Sequence, residues 1–166
     1  MRLLVLIVIT LLGATACSTA VSKESMELVD PSVSFEVLHQ DPDRYVGRYL
    51  LLGGAITDVR PSADGGSELE LVQLPTNNRG KVTATDNSDG RFIAQDTTYR
   101  DPAIYRNGRL VTLVGQVTGS KTARLGEMDY RYPVLTVHEL RLWTPNDHPG
   151  SSPVHFGIGL GIGISR

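Results

Sequence analysis

Apolar and polar residues alternate over short stretches of this chain, and clusters of turn-forming residues separate the stretches. Residues 49–56 form an apolar run with the pair Gly53-Gly54, which indicates a bulge or a close approach of two backbones. From Ser67 to Leu71 polar and apolar residues alternate with a period of two, the pattern of a strand with one buried face. Both segments are predicted to be β-strands, with Glu68 and Glu70 on the solvated face of the second.

The next strand signals follow two turns. A break rich in Pro, Asn and Gly at 75–80 predicts that strand 67–71 forms a hairpin with residues 81–85. A second turn, which contains Asp89-Gly90, leads into a strand over 91–94.

Two longer strands complete the pattern. Residues 109–117 are rich in β-branched side chains, and 128–143 alternate until Pro133, which marks an edge strand or a bulge. Strands at short intervals, with only single helical turns between them, predict an all-β fold built as a small barrel or a sandwich.

The sequence Asp-Pro-x-x-Tyr occurs at residues 41–45 and again at 101–105, and each copy is followed by glycine, arginine and an apolar run. Asp is a good N-cap, Pro is tolerated at the first helical position, and Gly adopts the positive φ that ends a turn. Each copy is therefore predicted to be a helical turn that feeds a strand. A duplicated ligand site is the less favoured interpretation.

The N-terminus has the features of a targeting segment. Met1-Arg2 is followed by apolar or neutral residues over 3–12, which are too few for the roughly 20 helical residues that cross a hydrocarbon core. Small residues then precede Cys17, so residues 1–16 are predicted to be a signal peptide that is cut before this cysteine.

Two fates are open to Cys17 after cleavage. An ordinary signal peptidase would leave a free thiol, whereas the bacterial lipobox that this site resembles would link the sulfur to diacylglycerol and acylate the new N-terminus. Cys17 is the chain's only cysteine, and a lone exposed thiol in an oxidising compartment tends to pair between molecules. We therefore favour lipidation at Cys17, with residues 17–33 as a lipidated N-terminus and tether.

The charge and the reactive residues exclude several classes of function. The chain has 16 basic and 18 acidic side chains, so it lacks the basic excess that drives binding to phosphate backbones. Nucleic acid is therefore not an expected partner. The single cysteine and four scattered histidines lack metal-ligand spacing. The chain also lacks a nucleophile elbow or a phosphate-binding glycine loop. We expect no catalytic residues, no cofactor and no metal, and hence a protein that is not an enzyme.

Aromatic residues near the end of the domain are a candidate binding surface. Tyr130 and Tyr132 share one face of a strand at a period of two, and Trp143 follows. Together they would form a platform for a sugar or a peptide. The favoured alternative is that they supply core to a domain with few aromatic residues.

The C-terminal segment 144–166 begins as a linker rich in Pro, Gly and Ser, and glycine then alternates with aliphatic residues over 157–164. One unpaired strand of this length cannot cross a bilayer. The tail is expected to dock as a sheet edge or to contact the membrane or a partner by strand addition, with a slight preference for a partner.

Several segments in order resemble the Slp family of Gram-negative outer-membrane lipoproteins. They are DPDRYVG (41–47), LGGAI (52–56), LVQLP (71–75), SDGRFIA (88–94), DPAIY (101–105), GRLVTLVG (108–115), GEMDYRYPV (126–134) and LW (142–143). The resemblance implies an envelope lipoprotein associated with starvation or stationary phase, with its lipid on Cys17. The helical turns, strands and glycines also look like an OB-type barrel.

These observations combine into one expectation. Residues 34–143 form a small OB-like β-barrel, tethered by acylated Cys17 to the lipid bilayer at the periplasmic face of the outer membrane, and Ser18 in place of aspartate directs it there by resemblance to the lipoprotein sorting pattern. Its expected role is structural or interactive within the envelope. The alternative is a module that binds an envelope oligosaccharide or peptide on the barrel face.

Overall fold

Five strands form the framework of the computed structural model, which describes residues 19–144, Asp147 and Pro149. They are β1 (Tyr49–Pro61), β2 (Ser67–Leu74), β3 (Arg91–Asp96), β4 (Leu110–Leu125) and β5 (Met128–Leu142). The strand order is β1-β2-β3-β5-β4, and the pairing of β1 with β4 closes the barrel. Neighbours are antiparallel except for β3 and β5. The prediction of a small all-β, OB-like barrel is confirmed.

Alternate residues of the strands fill the barrel interior. Along β2 the buried residues Ser67, Leu69 and Leu71 alternate with half-buried ones, as the period-two pattern predicts. Helix α2 (Phe35–Gln40) begins at Ser34 and adds Phe35 and Leu38 to the same core. Full burial of such a side chain contributes about 1.5–3 kcal/mol. The main cluster comprises Phe35, Leu38, Leu50, Leu52, Ile56, Leu69, Leu71, Phe92, Ala94, Val111, Leu113, Val117 and Leu135.

Both Asp-Pro-x-x-Tyr copies form the predicted turns. The first contains a 3-10 helix, Pro42–Tyr45, and in the second the N–H groups of Ile104 and Tyr105 both donate to the Asp101 carbonyl over 2.9 Å. Tyr45 and Tyr105 are half-buried against the main core. Asp101 Oδ1 accepts the Ala103 N–H at 2.8 Å as a cap, whereas the Asp41 side chain makes no capping hydrogen bond, so the proline turn and the packing of the tyrosine are what the two copies share.

The glycine after each copy joins the two halves of the repeat. Gly47 (φ +89°) donates its N–H to the Val117 carbonyl, and Gly108 (φ +81°) donates its N–H to the Ile56 carbonyl, both over 2.8 Å. Because β1 and β4 pair antiparallel, the turn that enters each strand closes the far end of the other.

The glycine pair in β1 lies where backbones approach closely. A Cβ on Gly54 would lie 2.9 Å from the Val72 carbonyl oxygen, and a Cβ on Gly53 would lie 2.5 Å from Thr76 Cγ2. The register of β1 against β2 shifts between Ile56 and Asp58, so a bulge follows the pair. The predicted close approach and bulge both occur in β1.

The hairpin predicted between 67–71 and 81–85 is wrong. Strand β2 pairs with β1 on one side and with β3 on the other, and the 81–85 segment contributes only an isolated bridge from Thr76 to Val82. The physical reason is that β3 supplies Phe92 and Ala94 to the core, whereas the polar stretch that precedes it has no alternating apolar face.

A second helix lies within the segment predicted to be a tether. Helix α1 (Lys23–Leu28) begins at Ser22, whose side chain accepts a hydrogen bond from the Ser25 N–H. Ala20, Val21 and Ser25 are buried, so packed structure begins well before residue 34. Of the helices in the described ranges, none has the length and apolar character needed to span a bilayer.

Candidate functional site

The residues predicted to carry lipid and sorting information, Cys17 and Ser18, lie outside the described residues, as does the alternating tail 157–164. Their roles stay predictions. The structure describes the chain from Thr19, two residues after Cys17. The candidate site therefore consists of the residues that hold this first described segment against the barrel.

Ala20 packs over the end of the barrel. Its N–H donates to the Arg79 carbonyl over 2.8 Å, and its side chain joins Trp143 in a second buried cluster. Trp143 is 7% exposed and donates its indole N–H to Thr112 Oγ1 over 3.0 Å. The Thr112 hydroxyl in turn donates to the Gly80 carbonyl over 2.6 Å. The first packed residues therefore cover a tryptophan whose polar atom is already bonded.

Glu139 of β5 holds the start of α1. Its carboxylate accepts the Ser22 N–H at 3.0 Å on each oxygen and the Ser22 hydroxyl at 2.6 Å, and it also accepts the Ser25 hydroxyl. A carboxylate beside a helix N-terminus satisfies N–H groups that have no partner within the helix. Burial raises the pKa of Glu139, but the hydrogen bonds from Ser22 and Ser25 outweigh it, so the pKa lies below its ordinary value.

The end of this segment is bound to the first strand. Val29 forms a parallel bridge with Tyr49, and the Asp30 N–H donates to the Tyr49 carbonyl over 2.8 Å. Arg48 pairs with Asp30 at 3.3 Å. We call the contacts of residues 19–30 with Arg79, Glu139 and Trp143 the N-terminal junction.

Three cations lie beside Thr19 and Ala20, at the start of the N-terminal junction: Arg79, Lys81 and Arg141, which we call the basic rim. They line a cleft of about 270 Å³ together with Thr19 and Trp143, and the Arg141 guanidinium lies 4.5 Å from the centre of the Trp143 ring. Asp147 also lines this cleft. None of the three forms an ion pair with a carboxylate of the described residues.

The three predicted aromatic residues are not assembled into one surface. Tyr130 and Tyr132 meet edge to face with their ring centres 4.6 Å apart, and His39 lies 5.3 Å from Tyr130. Trp143 instead belongs to the cluster under Ala20. It follows Tyr132 by eleven positions, which at about 3.3 Å per residue is on the order of 36 Å of strand. The structure brings the tyrosines together and separates the tryptophan from them.

Glu68 and Glu70 were expected to form a simple solvated face, and that expectation is incomplete. Both are half-buried: Lys121 Nζ reaches the Glu68 carboxylate at 2.9 Å, and Arg91 Nη1 reaches Glu70 at 2.7 Å. The Tyr132 hydroxyl lies 3.3 Å from the same Glu70 oxygen. Burial, followed by the negative charge of Glu70, raises the pKa of Tyr132. These side chains line a cleft of about 90 Å³, far below the roughly 300 Å³ at which small-molecule pockets begin.

A larger groove lies between the N-terminal segment and the barrel. It has a volume of about 500 Å³, within the usual range for ligand pockets. Its lining is mixed and combines apolar side chains with amide and carboxylate groups. They include Met26, Val29, Pro31, Val33, Phe35, Leu51, Leu52, Gln73, Asn78 and Asp89.

The two histidines that the structure describes, His39 and His138, each lie against aromatic rings. His39 stacks on Phe35 with ring centres 6.0 Å apart, and His138 meets Tyr49 edge to face at 5.9 Å. Among the residues that the structure describes, no group of three or more His, Cys, Asp or Glu side chains is arranged to hold a metal ion.

Sequence reasoning missed most residues of the N-terminal junction. The signal that was available is Ser22-Lys23-Glu24-Ser25, a helix start with serine at the N-cap and glutamate in the first turn. Nothing local indicates that Glu139 would cover this start, because more than a hundred residues separate it from Ser22.

Comparison with known proteins identifies the family. The family model described as "Outer membrane lipoprotein Slp family" matches residues 14–158. The chain is 31% identical over 102 residues to the uncharacterized lipoprotein YeaY of Escherichia coli K12, covering 61% of this chain and 52% of that protein. It is 28% identical over 116 residues to the outer membrane protein Slp of the same organism, covering 69% and 60%. The chain thus spans between half and about three fifths of these relatives.

A mitochondrial single-stranded DNA binding protein of S. cerevisiae, Rim1, aligns with 58% of this chain and 94% of its own, at 12% identity and a TM-score of 0.36.

Proposed function

The chain belongs to the Slp family of outer membrane lipoproteins, and on that premise we propose that lipid on Cys17 holds its barrel at the periplasmic face of the outer membrane. There the barrel has a structural or interactive role in the envelope and carries out no catalysis. Ser18, in the position next to the lipid, directs the protein to the outer membrane.

The observation that carries this proposal is the position at which packed structure begins. Ala20 is 6% exposed and bonded to Arg79, and covalent geometry places it within about 11 Å of Cys17, three residues earlier. Acyl chains on Cys17 would therefore bring the barrel itself to the bilayer surface. A single acyl chain binds a membrane only marginally, at about 0.8 kcal/mol per buried methylene, whereas the three chains of a mature lipoprotein make a permanent anchor.

Two single substitutions test the anchor and its sorting separately. Cys17→Ser should abolish incorporation of labelled palmitate and release the protein from the membrane fraction. Ser18→Asp should keep the label but move the protein to the inner membrane fraction, by the lipoprotein sorting pattern. If the Cys17→Ser protein still floats with outer membranes on a density gradient, the anchor proposal is wrong.

The side of the membrane is tested by protease access. The protein should resist protease added to intact cells and be cleaved once the outer membrane is permeabilised. Cleavage in intact cells would place the barrel on the outer surface and contradict the proposal.

The groove supports a second candidate function, a binding module for an envelope oligosaccharide or peptide. Its volume of about 500 Å³ and its mixed lining suit such a ligand. Met26 lines the groove, and Met128, 58% exposed on β5, is a matched reference. On titration with peptidoglycan fragments, a saturable shift of the Met26 methyl resonance without one at Met128 would support binding in the groove. Equal or absent shifts would count against it.

The starvation link and the absence of nucleic acid among the partners are also proposals. The protein level should rise on entry into stationary phase, which quantitative immunoblotting of timed cultures would test. Single-stranded DNA should not bind, because the chain has no basic excess and the cations beside the β2–β3 face that OB-folds use for oligonucleotides, Arg91 and Lys121, are already paired with Glu70 and Glu68. Retention of labelled oligonucleotide in low salt would contradict this.

A further inference from the structure

We propose that the basic rim is a seat for anionic phospholipid headgroups, so that the anchored barrel rests on the bilayer in one orientation. This inference rests on the proposed lipid anchor at Cys17. The rim consists of Arg79, Lys81 and Arg141 around the exit of the chain at Thr19.

The first argument is distance. Thr19 lies two residues after Cys17, so about 7 Å of extended chain is the most that separates the described surface from the lipid-bearing residue. That is less than the Debye length of about 8 Å at physiological ionic strength. Charges around Thr19 would therefore feel the headgroup charge of the membrane that holds the anchor.

The second argument is the pairing of charges. Arg44, Arg106 and Arg109, in other parts of the described barrel, form no ion pair, but eight further cations there lie within 4 Å of a carboxylate, which neutralises them locally. They are Lys23, Arg48, Arg60, Arg91, Arg100, Lys121, Arg124 and Arg131. The rim cations make no such pair with a described carboxylate, although the whole chain carries a net charge of −2. The charge at this end of the barrel is opposite in sign to that of the protein and of an anionic bilayer.

Two carboxylates near the rim reduce this charge without cancelling it. Asp147 lines the cleft and accepts the Thr144 N–H and hydroxyl at 3.0 and 2.6 Å. Glu139 stands two positions before Arg141 on β5, and its oxygens are held by Ser22 and Ser25. Three cations against these two anions leave the rim positive, and the hydrogen bonds to Glu139 keep its carboxylate directed at α1.

Trp143 is a native probe for this surface. It is the chain's only tryptophan, and the Arg141 guanidinium lies 4.5 Å from its ring centre. A quencher attached to lipid headgroups should reduce its fluorescence only when the rim faces the membrane. The full-length lipidated protein would be reconstituted into phosphatidylcholine vesicles, with or without phosphatidylglycerol, that contain a headgroup spin-labelled lipid.

We expect strong Trp143 quenching in vesicles with phosphatidylglycerol and weak quenching in phosphatidylcholine alone. The triple variant Arg79→Gln/Lys81→Gln/Arg141→Gln should lose this difference. Each cation near an anionic surface shifts the equilibrium towards the seated orientation about fivefold. Removal of all three should therefore shift this equilibrium away from the seated orientation by on the order of a hundredfold. High salt should have the same effect on the wild-type protein.

Two controls separate charge from structure. Arg44→Gln/Arg124→Gln/Arg131→Gln removes the same charge from exposed positions elsewhere and should keep the wild-type quenching. Arg79→Lys/Arg141→Lys keeps the charge of the rim and should also show the wild-type quenching. Equal quenching of the rim variant and the wild type in phosphatidylglycerol vesicles, or equal loss in both triple variants, would overturn the proposal.

The outcome also distinguishes the seat from the anchor. If the anchor proposal fails, the wild-type protein does not float with vesicles of either composition. If only the seat fails, the rim variant and the wild type both float and are quenched alike.

Discussion

Glu139 is the residue whose loss should release the start of the packed chain. It accepts hydrogen bonds from the Ser22 N–H and from the hydroxyls of Ser22 and Ser25. A hydrogen bond to a charged group contributes about 1.5–3 kcal/mol, but these bonds share one half-exposed carboxylate, and solvent screening reduces their sum. We therefore expect Glu139→Ala to lower the free energy of local opening over 20–28 by about 2 kcal/mol, a factor of about thirty in amide exchange.

The assay is hydrogen exchange followed by mass spectrometry on the full chain. Peptides over 20–28 should exchange faster in Glu139→Ala, while those from β1 and β4 should keep their wild-type rates. Glu127→Ala, an exposed glutamate between β4 and β5, is the matched control and should change neither region. Unchanged exchange over 20–28, or equal acceleration throughout the barrel, would refute the assigned role of Glu139.

The same contact has a pH signature. Because hydrogen bonds lower the pKa of Glu139 in the folded protein despite its burial, its stabilisation is complete above the ordinary value near 4.5. It is lost as the pH falls through the lowered folded value. Protection over 20–28 should therefore decrease on acidification in the wild type, whereas Glu139→Ala should lack this step. A step of equal size in both proteins would point to another carboxylate.

Three further substitutions test the barrel and its charged face. Gly54→Ala places a methyl group against a β2 carbonyl and should cost about 1–3 kcal/mol in urea unfolding; an unchanged midpoint would contradict the close approach. Trp143→Phe removes the indole donor to Thr112 and should cost about 1–3 kcal/mol by the same measurement, and no loss would argue against that bond. Glu70→Gln should lower the raised pKa of Tyr132 towards 10 in a carbon-13 NMR titration. Because the raised pKa makes the folded protein lose stability above pH 10, the variant should lose less stability there. An unmoved pKa would leave burial as the sole cause of the raised value.

Local patterns predicted several elements because their physical causes are local. The alternation of Ser67 to Leu71 follows from the period of a strand, and the two Asp-Pro-x-x-Tyr turns follow from proline at the start of each turn, with a side-chain cap only at Asp101. The hairpin between 67–71 and 81–85 was predicted wrongly because turn residues indicate where a strand ends but do not determine which strand pairs with it.

The aromatic prediction shows the same limit. Period two correctly brought Tyr130 and Tyr132 onto one face. The position of Trp143 depended instead on Ala20, which covers it from the other end of the chain. A bulge at His138 also changes which face β5 presents, since Val137 and Leu140 both pack against the core.

The amino-acid sequence by itself determined the family, the strand content, the entry turns and the expected site of lipidation, because each depends on neighbouring residues or on segments in order along the chain. Only the tertiary structure decided that Glu139 holds Ser22 and that Arg79, Lys81 and Arg141 surround Thr19. Each of these partners lies 60 to 122 positions from the N-terminal residue beside it, and closure of the barrel between β1 and β4, with β5 next to β4, brings them together. The physical reason is that strand pairing is set by burial of the whole core, which no short stretch of sequence contains.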